Sequence, residues 1–180
     1  QNNVKRMVDT ARMFRNIIRK SDEGIIRVDD IIKETLGLLS DTGDAAKVRL
    51  YFTPPETLVV VRGYAGTFEQ VLLNVILNAI QQVNALRPNL GGWVHIWIDL
   101  HPVDAAEGCF QILVEDNGPG IHTSLWETIF EPGYTTRQDG SGIGLYISKS
   151  MAEEAGGRLF VRESRILGGT TFALEIPRHI

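Results

Sequence analysis

Two glycine clusters, Asp116-Asn117-Gly118-Pro119-Gly120 and Gly140-Ser141-Gly142-Ile143-Gly144-Leu145, follow an apolar stretch that carries side-chain amides at Asn74 and Asn78. Each residue type has a use against a nucleotide. The Asp116 carboxylate, set behind a turn, can accept the exocyclic amine of a purine. Glycines at 118 and 120 let the backbone approach a flat ligand without Cβ interference. Glycines that open a helix near Leu145 leave free backbone amides and the positive end of the macrodipole for phosphate. Neutral amide oxygens suit Mg²⁺ once a triphosphate supplies the negative charge. Each cluster also has a plain reading: Asp-Asn-Gly-Pro-Gly makes an ordinary turn, the second run a flexible loop entering a helix, and the asparagines a solvated helix face. Together they describe a purine nucleotide pocket.

Asn74 and Asn78 lie four residues apart, so their amides leave one face of a helix, with Gln70 and Gln81 extending the stripe. Val71, Leu72, Val75, Ile76 and Ile80 fill the remaining faces, and Lys or Glu would serve a merely solvated stripe better than Asn. The second glycine cluster is neither a dinucleotide fingerprint nor a P-loop, because a polar loop precedes it and no Gly-Lys-Ser/Thr follows. Between the clusters, Ile129-Phe130-Glu131-Pro132-Gly133-Tyr134-Thr135-Thr136-Arg137 joins an aromatic anchor to a polar segment, as a mobile lid does. Arg137 can neutralise a terminal phosphate, or simply be solvated. His95, His101, His122 and His179 have no acid in register to mark a nucleophile and read as structural or exposed. Cys109 reads as buried packing.

These residues need elements to hold them. Periodicity predicts a helix over 67–86 and another over about 144–154, stopped by Gly156-Gly157. Strands are expected at 48–53, 58–61, 93–100, 110–115, 158–163 and 171–176. Pro54-Pro55 suggests that the first two form a hairpin, and 93–100 and 110–115 read as a pair. Asp29 or Asp30 can cap a helix that carries Ile31, Ile32, Leu36 and Leu39. Val4, Met7, Ala11, Phe14 and Ile18 form one apolar seam, which suits a helix packed on its own domain or a dimer helix, with a linker near residue 22. Strands interleaved with helices imply a mixed sheet with helices on one face.

Composition narrows the class. The chain has 180 residues, 43% of them hydrophobic, enough for one domain with a core. A net charge of −4 offers no cationic field for nucleic acid. A single cysteine permits no internal disulfide and fits a reducing, cytoplasmic setting. No apolar run is long enough to span a membrane, since both asparagines interrupt 71–80. Gln1 suggests a fragment of something longer.

The ordered set resembles the ATP-binding catalytic domain of two-component sensor histidine kinases, within the gyrase, chaperone, kinase and mismatch-repair ATPase superfamily. The likeness runs from about residue 25 to 177. Phe68–Gln82 is similar to the N box, Val114–Ile121 to the first glycine box, Ile129–Tyr134 to the F box and Gly140–Leu145 to the second glycine box. Gly168-Gly169-Thr170-Thr171-Phe172 is similar to the closing glycine-threonine element. The resemblance implies an α+β fold, a two-layer α/β sandwich with a mixed sheet backed by helices. It implies ATP and Mg²⁺ as cofactors, with Asn78 on the metal and Asn74 near metal or phosphate. Asp116 would bind the adenine amine with support from Thr170, and Gly118 and Gly120 would shape the base pocket. Tyr134, Thr135, Thr136, Gly140, Ser141, Gly142, Ile143, Gly144 and Leu145 would border the nucleotide, with Asn74 and Arg137 as catalytic candidates.

On this likeness residues 1–22 are the end of a dimerisation helix with its linker, and 23–180 the ATP-binding domain. The implied partners are the protein's own dimerisation and histidine phosphotransfer domain and a response regulator receiver domain, with a homodimer in the full-length protein. Neither nucleic acid nor membrane contact by this part is implied, and the expected location is cytoplasmic even for a sensor anchored elsewhere.

Three departures stand out. A phospho-acceptor helix with its histidine is missing, so the chain is expected not to phosphorylate itself. Gln81 stands where many kinases place lysine, and Gly63-Tyr64 replaces Gly-Asp. With Tyr134-Thr135-Thr136-Arg137, Gln81 resembles the nitrogen-regulator subgroup. Related ATPases carry a glutamate one turn before the magnesium asparagine, where this chain has Asn74. Glu69 is no substitute, since nine residues at about 100° each put it opposite Asn78. The expected activity is therefore γ-phosphoryl transfer from ATP to a histidine delivered by another domain, for relay to a response regulator aspartate. The alternatives are a nucleotide-binding signalling module without turnover and an ATPase of the same superfamily.

Overall fold

A computed structural model of the chain describes residues 23–88, 90–102, 108–137 and 140–178. The seam at residues 4–18, the linker near 22 and His179 lie outside the described residues. The order is β1 (Gly24–Arg27), α1 (Val28–Ala45), β2 (Val48–Thr53), β3 (Val60–Gly63), α2 (Ala65–Leu86), β4 (Gly92–Asp99) and β5 (Cys109–Asp116). Two short 3₁₀ turns, Thr123–Leu125 and Thr128–Phe130, then lead to α3 (Gly144–Glu154), β6 (Arg158–Arg165) and β7 (Gly169–Pro177). Five strands form one sheet in the order β2-β4-β5-β7-β6, parallel between β2 and β4 and antiparallel elsewhere. The mixed sheet and its helical layer are the architecture expected from the sequence.

Alternation explains which face is covered. Val94, Ile96 and Ile98 on β4, Phe110, Ile112 and Val114 on β5, and Phe172, Leu174 and Ile176 on β7 are buried in one core with the helices. The α2 helix supplies Phe68, Val71, Leu72, Val75, Ile76, Ala79, Ile80 and Val83 to that core. This leaves the Asn74, Asn78 and Gln81 stripe for a cavity beside it. On the far face of the sheet, buried Glu175 is held by Arg158 at 2.7 Å and by the Gln111 amide at 3.1 Å.

Three local expectations need correction. Strand β3 does not form a hairpin with β2: it pairs antiparallel with β1, whose Ile26 lies opposite Val61. Pro54 and Pro55 withhold two ladder donors, and β2 finds its partner in β4 instead. Strand β1 is not among the strands expected from the sequence, because four residues are too few to show a period. Helix α1 begins at Val28, so Asp29 and Asp30 are not caps but first-turn residues, beyond an Arg27 at the cap position whose side chain does not bond the helix's free N–H groups. Their charges still favour the helix start, and Asp30 pairs with Arg27 at 3.2 Å. Cys109 is half-buried rather than buried, with its thiol pKa raised chiefly by desolvation.

Candidate functional site

A cavity of about 650 Å³ opens beside α2, between the two glycine clusters. One wall is the polar stripe of α2, with Asn74, Asn78, Gln81 and Gln82. Asp116 ends β5 at one side of the cavity, and Thr170 stands beside it because β5 and β7 pair Asp116 with Thr170. Tyr134, Thr135, Thr136, Arg137, Gly140, Ser141, Gly142, Gly144 and Leu145 line it as well. Of the residues expected at the site, Gly118 and Ile143 alone are not on the cavity wall. Gly118 acts from behind, its N–H donating to Asp116 Oδ1 at 2.7 Å. Ile143 immediately precedes α3.

Asp116 is 3% exposed. Desolvation raises its pKa to about 6, against the opposing pull of backbone N–H groups of Gly118 and Thr170. A ligand N–H offered to this carboxylate would replace some of the water it has lost. The turn that follows is fixed from three sides. Asn117 Oδ1 accepts from the Trp93 N–H at 2.8 Å, the Pro119 carbonyl accepts from Leu167 at 2.7 Å, and the Ile121 N–H donates to Ser164 Oγ at 2.7 Å. Ser164 Oγ also donates to the Gly169 carbonyl at 3.0 Å, so the Thr170 hydroxyl, 2.9 Å away, is the donor of that pair. The Thr170 oxygen keeps lone pairs for a ligand. Gly120 has a φ of +74°, and a Cβ there would sit 1.9 Å from the Arg165 carbonyl oxygen. No other residue fits.

At the phosphate-suited end, the Gly133 N–H donates to the Gly142 carbonyl at 2.9 Å, joining the expected lid to the second glycine cluster. Gly142 has a φ of +66°, and a Cβ there would lie 2.4 Å from the Gly133 carbonyl carbon. Helix α3 starts without a side-chain cap, which leaves its first amides available to an anion. Its position is set by Asn74, whose Nδ2 donates to Ser148 Oγ at 3.1 Å and to the Gly144 carbonyl at 3.4 Å. Asn74 Oδ1 in turn accepts from Gln70 at 3.0 Å. Both ends of the Asn74 amide are thus engaged by protein. The Asn78 side chain, by contrast, makes no hydrogen bond among the described residues and lines the cavity. Phe130 anchors the lid's start, packed edge-on against Phe172, with the Lys149 ammonium 5.0 Å from its ring centre.

The apolar wall is the part that motif reading missed. Leu77, Leu125, Ile129, Ile166 and Phe172 line the cavity with Ile121. A flat base needs such surfaces, but Leu77 has no distinguishing signal beyond its place between the asparagines, and Ile166 lies in a turn and is 60% exposed. His122, read as structural or exposed, also reaches the cavity, while its Nδ1 lies 2.8 Å from Ser124 Oγ.

Residues 63–180 match the family of histidine kinase-, DNA gyrase B-, and HSP90-like ATPases. The sensor histidine kinase ZraS of Salmonella typhimurium is 31% identical over 153 residues, covering 84% of this chain and 30% of that protein. The signal transduction histidine-protein kinase AtoS of Escherichia coli is 29% identical over 154 residues, covering 84% of this chain and 23% of that protein. This chain therefore spans less than a third of the length of these relatives. The solved structure of a mycobacterial sensor histidine kinase, MprB, superposes with a TM-score of 0.72 at 23% identity, covering 88% of this chain and all of that one. The nucleotide-free catalytic domain of histidine kinase ThkA gives 0.72 at 24% identity over 87% of this chain and 96% of its own. These structures establish the fold.

Proposed function

This chain belongs to the histidine kinase-, DNA gyrase B- and HSP90-like ATPase family, and from that premise we propose that it binds Mg²⁺-ATP and transfers the γ-phosphoryl group to a histidine on a separate dimerisation domain. One observation carries this reading. A buried carboxylate, Asp116, an unengaged amide, Asn78, and the uncapped start of α3 meet on the walls of a single cavity large enough for a nucleotide. Asp116 takes the adenine amine, with the Thr170 oxygen as a second acceptor. Gly142, Gly144 and Leu145 present backbone N–H groups to phosphate. On this reading residues 1–22 are the end of the dimerisation helix with its linker, and a response regulator aspartate receives the phosphoryl group.

No cluster of three His, Cys, Asp or Glu side chains among the described residues is placed to hold a metal. A neutral amide oxygen such as that of Asn78 fits Mg²⁺ already ligated by phosphate oxygens. The metal, when bound, neutralises charge that develops on the transferring group. In the transfer, the bond from γ-phosphorus to the bridging oxygen breaks, a bond to an imidazole nitrogen forms, and ADP leaves. The chain's part is to position the phosphates through α3 and to supply positive charge through Arg137.

Hydrolysis is the less favoured reading. Asp116 is the single carboxylate among the described residues lining the cavity, and the proposed mode of binding commits it to the base. With Asp116 so used, no other carboxylate among the described lining residues is left to take a proton from water beside the γ-phosphate. Mixing the chain with a separate acceptor-histidine domain and labelled ATP tests this. Acid-labile phosphate on the acceptor is expected. Rapid release of free phosphate without protein labelling would establish a hydrolase, and binding without either would establish a signalling module.

A further inference from the structure

Arg137 carries the single guanidinium or ammonium group among the described residues that line the cavity. Both its backbone and its side chain are hydrogen-bonded, although it is exposed. Its N–H donates to Thr135 Oγ1 at 3.1 Å, its carbonyl accepts from that hydroxyl at 3.3 Å, and the Gly140 N–H donates to the same carbonyl at 3.3 Å. Its side-chain Nη1 donates to Gln81 Oε1 on α2, less than one helical turn beyond Asn78. An exposed loop arginine is ordinarily free to sample many rotamers, and each would have to be given up on meeting a phosphate. Here an acceptor on a rigid helix selects one of them in advance.

The choice of acceptor matters. A carboxylate at 81 would take the guanidinium as a paired fork and cancel its charge, and a cation there would repel it. A carboxamide oxygen accepts one N–H and leaves the remaining donors, and the whole positive charge, for a ligand. We infer that Gln81 is a positioning residue that holds the Arg137 guanidinium over the phosphate end of the cavity and so sets a preference for nucleoside triphosphate over diphosphate. The inference rests on the nucleotide reading of the site. Because Asp116 and the apolar wall grip the base, loss of the Gln81 contact weakens the hold on the terminal phosphate and spares the rest.

Calorimetric titration of the chain with Mg²⁺-ATP and Mg²⁺-ADP separates these contributions. Arg137→Gln is expected to lower ATP affinity by about tenfold, the worth of one charge-assisted contact, while ADP affinity stays within about twofold. Gln81→Glu is expected to match it, and Gln81→Ala to fall between that variant and the unaltered chain. Retained ADP binding certifies that each variant is folded. Gln81 variants that keep the original ATP-to-ADP ratio, while Arg137→Gln loses it, would overturn the inference. Failure of the unaltered chain to bind either nucleotide would instead remove the nucleotide reading on which it stands.

Discussion

Asp116 combines near-complete burial with an acidic side chain, and its behaviour with pH follows. Its pKa is raised to about 6 in the folded, unliganded chain, whereas in the unfolded chain it lies near the ordinary value of about 3.9. Between those values the folded state holds a proton that the unfolded state has lost, so stability falls as pH rises, by up to about 1.4 kcal/mol per pH unit. Binding has the opposite sign. An adenine amine donates to the ionised carboxylate, so ATP affinity should rise with pH through about 6 and level off above it. Asp116→Asn should flatten both profiles and weaken adenine nucleotide binding by at least about tenfold, the worth of a hydrogen bond to a charged group. Denaturant titrations and calorimetry between pH 4.5 and 8, as a practical range of about that width, would read both. An unchanged binding profile in the variant would remove Asp116 from the base-binding role.

At the scale of elements, the site depends on how α2 and α3 are fastened. Ser148 is fully buried, and its hydroxyl joins Asn74 on α2 to the Gly144 carbonyl in the first turn of α3. Ser148→Ala leaves Asn74 Nδ2 with its longer contact to the Gly144 carbonyl alone. The expected cost is about 1–2 kcal/mol in urea unfolding, with weaker ATP binding because the amides of α3 lose their fixed direction. Unaltered stability and affinity together would show that apolar packing alone sets the helix. The same scale explains what was legible. Helices α2 and α3 each follow from a local 3.6-residue period, and their residues sit where that period puts them. Strand β3 was assigned the wrong neighbour because alternation identifies a strand without naming its partner. Asn74 lines the cavity beside Asn78, yet its amide is occupied by Gln70 and Ser148.

For the whole molecule, a ligand that bridges α2, β5, β7 and α3 must stabilise the domain by mass action. At a hundredfold excess over Kd the gain is about 2.7 kcal/mol, which for a domain of this size raises Tm by several degrees, at about 2–4 °C per kcal/mol. Mg²⁺-ATP should produce the full rise, and ATP with a chelator a smaller one, because Asn78 then has no cation to hold. Differential scanning calorimetry would detect either, and no rise with any adenine nucleotide would count against the cavity as their site. No helix among the described residues is long and apolar enough to cross a membrane.

The sequence alone determined whatever is written in neighbouring residues: the helix periods, the strand alternation, the turns and the five ordered motifs that resemble the kinase ATPase domain. Tertiary structure decided whatever depends on residues far apart in the chain. The β5–β7 register brings Thr170 to Asp116, the packing of the sheet against its helices desolvates that carboxylate, and the lid's fold sets Arg137 on Gln81. The reason is physical. Periodicity reports which face of an element is apolar, whereas partner choice, pKa and the shape of a cavity arise from contacts that exist only after those faces have met.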